Sequence, residues 1–211
     1  MSLRKCVVVL AALIAGAASI FGASSSVAQT QQQSNWCAGK DNATPDLQIS
    51  GCTALIHSGK HTGKELADFF FFRGVAHAKK GDQDRAMGDY NEAIKIFPHF
   101  PHALINIGLI YCRKGDDDRS IQSIQRALEL TPDNAGAHLQ LASVFYKTGD
   151  YPRAIASYSA FLKLQPDHPV GLYGRGVAKE KLGDASADAD TTAAKARDPD
   201  VDSLWARYCV K

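Results

Sequence analysis

The chain has 211 residues, of which 45% are hydrophobic and 22% are charged. This composition supplies enough apolar side chains for one packed domain and excludes global disorder. Of 24 basic and 22 acidic residues, the first 28 positions hold Arg4 and Lys5 and no acid, which leaves 22 against 22 in the remainder. A neutral chain lacks the basic surface that attracts nucleic acids and anionic membranes, so we expect neither as a partner.

The first 28 residues have the layout of a secretory signal peptide. Arg4 and Lys5 precede an apolar run over residues 7–20, and Ser26-Val27-Ala28 is a small-x-small cleavage motif. The apolar run is shorter than the ~20 residues that span a bilayer. We therefore predict cleavage near Ala28, no membrane insertion afterwards, and a periplasmic or secreted location. An uncleaved N-terminal anchor is the alternative.

Four cysteines follow the predicted cleavage site, and an oxidising compartment allows an even set to pair. Cys37 and Cys52 are close in sequence and bracket a turn-rich stretch. We predict a disulfide between them that closes an N-terminal cap. Cys112 is either a small packed residue or a disulfide partner of Cys209.

Gly-Asp pairs recur at a fixed period of 34 residues, and a proline follows each of the first three glycines by 17 residues. A period of this length indicates stacked helix-turn-helix units, which usually hold a partner rather than catalyse a reaction. With Ala67 as position 1, the Gly-Asp pair at positions 15–16 ends the first helix of each unit. The recurring residues are Gly81, Gly115, Gly149 and Gly183, with Pro98, Pro132 and Pro166.

These residues resemble the tetratricopeptide repeat family over positions 67–200, and the cap looks like that of small exported members from Gram-negative bacteria. The resemblance implies an all-α, right-handed solenoid of about three and a half repeats with an N-terminal cap and a C-terminal closing helix. The expected segments are a signal peptide at 1–28, a disordered tail at 29–35, the cap at 36–66, repeats at 67–100, 101–134 and 135–168, a degenerate fourth repeat at 169–200, and the closing helix at 201–211.

In this family the first helix of each repeat lines a concave face that binds peptides. The corresponding positions here are predominantly apolar, which excludes the family's carboxylate clamp and favours an apolar polypeptide segment as the partner. Alternatively, the cap or the closing helix with Trp205 occupies this groove. The predicted partner-groove residues are Phe71, Val75, Ile105, Leu109, Leu139, Tyr146, Tyr173 and Val177.

Basic residues occupy position 13 of every repeat, where they could steer an acidic partner. Each also lies at the expected end of a first helix, where the helix dipole favours a cation, and we favour this structural interpretation. The four residues are Lys79, Arg113, Lys147 and Lys181.

No residue set indicates catalysis, a cofactor or a metal site. His57 with His61, and His99 with His102, lack a third ligand at suitable spacing, and the chain has no phosphate loop or nucleophile elbow. We predict a non-catalytic protein-binding module that acts as an adaptor or assembly factor of the cell envelope. The alternative is an accessory subunit that tethers or regulates an envelope enzyme.

Overall fold

The computed structural model of the chain describes residues 27–208 and residue 210. All of the predicted signal peptide except its last two residues lies outside them. The described ranges contain helices and turns and no strand, which confirms the all-α class. None of their helices is long and apolar enough to cross a membrane. The chain divides into two compact units, residues 1–89 (unit 1) and 90–211 (unit 2).

Unit 1 consists of the cap and most of the first repeat. Helix α1 covers residues 27–37, α2 is Pro45–His57 and α3 is Gly63–Lys79, while α4, Gln83–Ile96, contains the boundary with unit 2. Thr44 caps α2 by accepting a hydrogen bond from the Leu47 N–H, and Pro45 is at its first position.

The structure differs from the expected disordered tail at 29–35, because these residues belong to α1. Tertiary contacts hold this polar segment in place. Gly51 of α2 allows close approach, since an added Cβ would lie 2.6 Å from the Gln33 carbonyl oxygen. The predicted disulfide between Cys37 and Cys52 is confirmed, and Gln48 Nε2 donates to the Cys37 carbonyl at 3.1 Å.

Unit 2 contains the second, third and fourth repeats, and each repeat is one helix pair. The turn within each pair is explained by its Gly-Asp dipeptide. Gly115 and Gly149 both have φ of +79°, and Asp116 and Asp150 cap the following helices. The pairs are α5 Pro101–Arg113 with α6 Asp117–Leu130, α7 Ala135–Lys147 with α8 Tyr151–Leu164, and α9 Pro169–Glu180 with α10 Ala187–Arg197.

Glycines in the first helices admit large side chains from the second helices of unit 2. A Cβ at Gly108 would lie 2.6 Å from Ile124, and one at Gly171 would lie 2.5 Å from the Phe161 ring. Phe161 stands where the first two repeats have alanine, so Gly171 compensates for the larger ring. These close contacts pack the repeats around one continuous core.

The closing helix α11, Val201–Trp205, is shorter than predicted, because residues 206–208 form a turn and a bend. Val201 is buried, while Leu204, Trp205 and Tyr208 are partly buried against the unit 2 core. The turn allows Arg207 and Tyr208 to line the same cavity as Leu204. The remainder of the predicted closing helix, apart from residue 210, lies outside the described residues.

Candidate polypeptide-binding site

In unit 1, the predicted groove residues Phe71 and Val75 lie one turn apart on α3, and both are half-buried. The Phe71 ring lies 5.7 Å from that of Phe72, which also packs against the cap core. This part of α3 therefore has apolar side chains that are only partly covered within its unit.

In unit 2, the predicted groove residues fall into two groups. Ile105 and Leu139 are 9% and 6% exposed, so they belong mainly to the core. The other four are half-buried and reach the surface from α5, α7 and α9, and we call this group the unit 2 groove. Its members are Leu109, Tyr146, Tyr173 and Val177.

The chain's own C-terminal segment covers part of the unit 2 groove. The Trp205 ring lies edge-on to Tyr146, with centroids 4.9 Å apart, and to Tyr173, at 5.5 Å. Trp205 Nε1 also donates a hydrogen bond of 2.9 Å to Tyr158 Oη. Of the alternatives left open by the sequence, the closing helix is thus the occupant of this part of the groove.

A cavity of about 640 Å³ lies between α5, α7, the start of α9 and the C-terminal segment. This volume is within the usual range for ligand sites. Leu109 and Val170 contribute apolar walls, and Arg113 and Lys147 contribute cations. Leu204, Arg207 and Tyr208 of the closing segment complete the lining.

Lys147 has a structural role at this cavity. Its Nζ donates to the Cys112 carbonyl at 3.1 Å and to Asp117 Oδ1 at 2.9 Å, and its side chain is only 17% exposed. Lys79, Arg113 and Lys147 are the last residues of their helices, and Lys181 is the C-cap of α9. The predicted helix-terminal location of the position 13 cations is confirmed.

Two polar atoms of cavity-lining residues are buried. Gln140 Oε1 and His168 Nδ1 have no hydrogen-bond partner among residues 27–208 and 210. Burial lowers the pKa of His168, whose ring packs edge-on to Phe161 at 5.1 Å.

Cys112 also lines the cavity, and it is disulfide-bonded. A disulfide sulfur has no thiolate form, so Cys112 in this state is not a nucleophile. Its predicted alternative partner, Cys209, lies outside the described residues. Within the described ranges no three His, Cys, Asp or Glu side chains cluster as metal ligands.

Two residues of the site were not among the predicted groove residues, namely Tyr158 and Trp205. Tyr158 belongs to α8, a second helix, yet its hydroxyl reaches the groove because α9 has glycine at 174. A Cβ at Gly174 would lie 2.3 Å from Tyr158 Cζ. Gly174 occupies position 6 of its repeat, where the earlier repeats have Phe72, Asn106 and Gln140. This glycine was the sequence feature that could have indicated the close approach of Tyr158.

The fold and the groove define an α-helical repeat protein with an apolar face on its first helices. Family models agree: a TPR repeat model matches residues 108–149, and tetratricopeptide repeat models match 67–100 and 139–202. The chain belongs to the tetratricopeptide repeat family, whose members are generally non-catalytic interaction modules. No curated protein matches the chain.

Solved structures support the fold assignment. MamA superposes with a TM-score of 0.67 at 16% identity, and the alignment covers 82% of this chain and 93% of MamA. YrrB, described as a TPR protein with an unusual peptide-binding site, gives 0.60 at 16% identity, covering 74% of this chain and 79% of YrrB. At such identities the likeness concerns the fold alone.

Proposed function

We propose that this protein is a non-catalytic, cofactor-free adaptor or assembly factor of the periplasm that holds an apolar polypeptide segment. The observation that carries the proposal is Trp205 in the unit 2 groove, because the groove already binds a short apolar segment, its own closing helix. Phe71 and Val75 of α3 are proposed as further partner contacts on unit 1.

The chemistry of the groove supports a polypeptide as the partner. Its surface consists of aliphatic and aromatic side chains, and such faces bind apolar anchors at helical or extended spacing. Tyrosine rings provide apolar area together with a hydroxyl, which suits protein interfaces. The cavity offers no activated nucleophile, since Cys112 is disulfide-bonded.

The periplasmic location is supported by two features. The first 28 residues carry the signal-peptide pattern, and the cap is closed by a disulfide, which persists in oxidising compartments. Intact-mass analysis of the protein from an envelope extract should give a chain that begins near Gln29. A full-length mass in the membrane fraction would contradict this location.

Site-specific photo-crosslinking tests the binding function. A photoreactive amino acid at Leu109 of the groove, or at Val75 of α3, should form adducts with other polypeptides in living cells. The same amino acid at the exposed Gln125 on α6 is the matched control and should form few. Equal labelling at all three sites would overturn the proposal. Adducts with one envelope enzyme alone would instead favour the accessory-subunit alternative.

A further inference from the structure

The side chains around Trp205 form a pocket suited to an indole ring. Tyr146 of α7 and Tyr173 of α9 contact the ring, and Tyr158 Oη accepts its N–H at 2.9 Å. We propose that these three tyrosines form a tryptophan-recognition site and that Trp205 is its intramolecular occupant. A partner polypeptide then binds by inserting its own tryptophan in place of Trp205, and this last step rests on the proposed function.

The pocket selects tryptophan through a buried hydroxyl. Tyr158 is fully buried, and the only other hydrogen bond between its hydroxyl and a described side chain is a long one, 3.5 Å to Ser143 Oγ. A phenylalanine would fill the space between Tyr146 and Tyr173 but would leave the hydroxyl without its indole donor. The hydroxyl would then have only the long contact with Ser143, and because a poorly paired buried polar group is unfavourable, the site discriminates between the two aromatic residues.

The position of Tyr158 is fixed by the packing around it. Its ring lies against Gly174, where a Cβ would approach Tyr158 Oη to 2.7 Å. At this position the second repeat has Ile124, which has no hydroxyl. The first repeat has Tyr90, but alanine and isoleucine stand where the pocket has its other two tyrosines. The tryptophan site is therefore specific to the third and fourth repeats and is not a general property of the helix pairs.

The occupant is held by few contacts, which makes exchange feasible. Helix α11 has five residues, and no side chain caps its N-terminus. Asp202, Ser203 and Arg207 are exposed, and the segment packs on the unit 2 core through Val201, Leu204, Trp205 and Tyr208. A competing helical turn has to replace only a small apolar surface and one hydrogen bond.

Peptide binding to the full-length Trp205→Ala variant tests the site. The probe is a synthetic peptide with the sequence of residues 201–208, compared with peptides that carry phenylalanine or alanine in place of its tryptophan. We expect the tryptophan peptide to bind about tenfold more tightly than the phenylalanine peptide, a difference equal to one hydrogen bond. The alanine peptide should bind more weakly still, and the native protein should bind all three less than the variant does.

Equal binding of the three peptides to the folded variant would overturn the proposal. If Trp205→Ala does not fold, the native protein provides the test: excess tryptophan peptide should shift the indole N–H resonance of Trp205 towards its solvent-exposed value, while that of Trp36 stays unchanged. No shift at saturating peptide would also overturn it. Crosslinking from Val75 of unit 1 does not depend on this pocket, so failure of the tryptophan site is distinguishable from failure of the binding function.

Discussion

The first and fourth repeats join their two helices through a buried ion pair, whereas the second and third use apolar side chains at the same place. Arg73 pairs with Asp89 at 2.7 and 2.9 Å, and Arg175 pairs with Asp190 at 2.6 and 2.7 Å. Both arginines occupy position 7 of their repeats. The central repeats have Ile107 and Leu141 there, each 6% exposed.

Each ion pair is completed by a third polar group. Arg73 also donates to Thr53 of α2 at 3.3 Å, and Asp190 accepts a hydrogen bond from Lys179 at 2.9 Å. Burial by itself raises the pKa of the Asp190 carboxyl, but hydrogen bonds from Arg175 and Lys179 outweigh that effect and lower it overall. Such pairs fix geometry, and their net contribution to stability is small.

In the fourth repeat the ion pair compensates for a second helix that buries little apolar surface, whereas the first repeat has its pair although α4 buries Tyr90. In α10 the buried residues are Ala187, Asp190 and Ala194, two of which are too small to define the position of the helix. The guanidinium group of Arg175 then positions α10 through its two directional hydrogen bonds to Asp190. In α6 and α8, larger buried residues such as Ile124 and Phe161 define the packing without a charge.

The largest expected effect comes from placing a lone charge in a central repeat. Leu141→Arg transfers the arginine of the terminal repeats to a position with no acidic partner, because Ser157 stands where Asp89 stands in the first repeat. We expect a loss of about 4 kcal/mol in the free energy of unfolding, measured by urea denaturation, since a buried charge without a partner is strongly destabilising.

Two further variants test this explanation. Leu141→Met, which conserves volume, should cost less than about 1.5 kcal/mol. Adding Ser157→Asp to Leu141→Arg should restore at least about 1 kcal/mol, because the pair of the terminal repeats is then complete. If the added aspartate restores no stability, the helix geometry, rather than the presence of an acidic partner, determines where the ion pair is tolerated.

A smaller loss is expected on breaking the existing pair. Asp190→Ala leaves Arg175 and Lys179 without their carboxylate and should lower the free energy of unfolding by about 2 to 3 kcal/mol. This is below the full value for a buried pair because the Arg175 side chain is 24% exposed. Asp188→Ala, at an exposed site in the first turn of the same helix, is the control and should cost less than about 1 kcal/mol. Equal losses would show that the pair contributes nothing specific.

The sequence predicted the features that repeat, but only some of those that occur once. The 34-residue period located the helix pairs and the glycine turns, because each turn needs a positive φ at the same position. The closeness of Cys37 and Cys52 in the sequence predicted the disulfide between them. The helicity of residues 29–35 was missed, because α1 is held by contacts with Gly51 and the disulfide rather than by its own propensity.

The candidate site was predictable in part. Family positions identified Tyr146 and Tyr173, but the link from Tyr158 to Trp205 joins residues 47 apart and depends on the missing side chain at Gly174. The ion pairs were predictable from one sequence feature: the terminal repeats have arginine at position 7, where the central repeats have isoleucine and leucine. A position-by-position comparison of polar residues, rather than of the shared ones, would have found it.

The smallest effect at neutral pH is expected on converting the fourth repeat to the central type. Arg175→Met with Asp190→Leu replaces the pair by apolar side chains of similar size and should change the free energy of unfolding by no more than about 1 kcal/mol.

The native protein and this double variant should differ in stability at low pH. The pKa of Asp190 is lowered in the folded state, so its contribution is complete above the ordinary value of 3.8 and is lost as the pH falls through the folded value. The native protein should therefore lose more stability than the double variant below about pH 4, as measured by urea denaturation across that range. Parallel losses in both proteins would mean that other carboxylates dominate the acid response, and that the ion pair of the fourth repeat sets helix position without contributing to acid sensitivity.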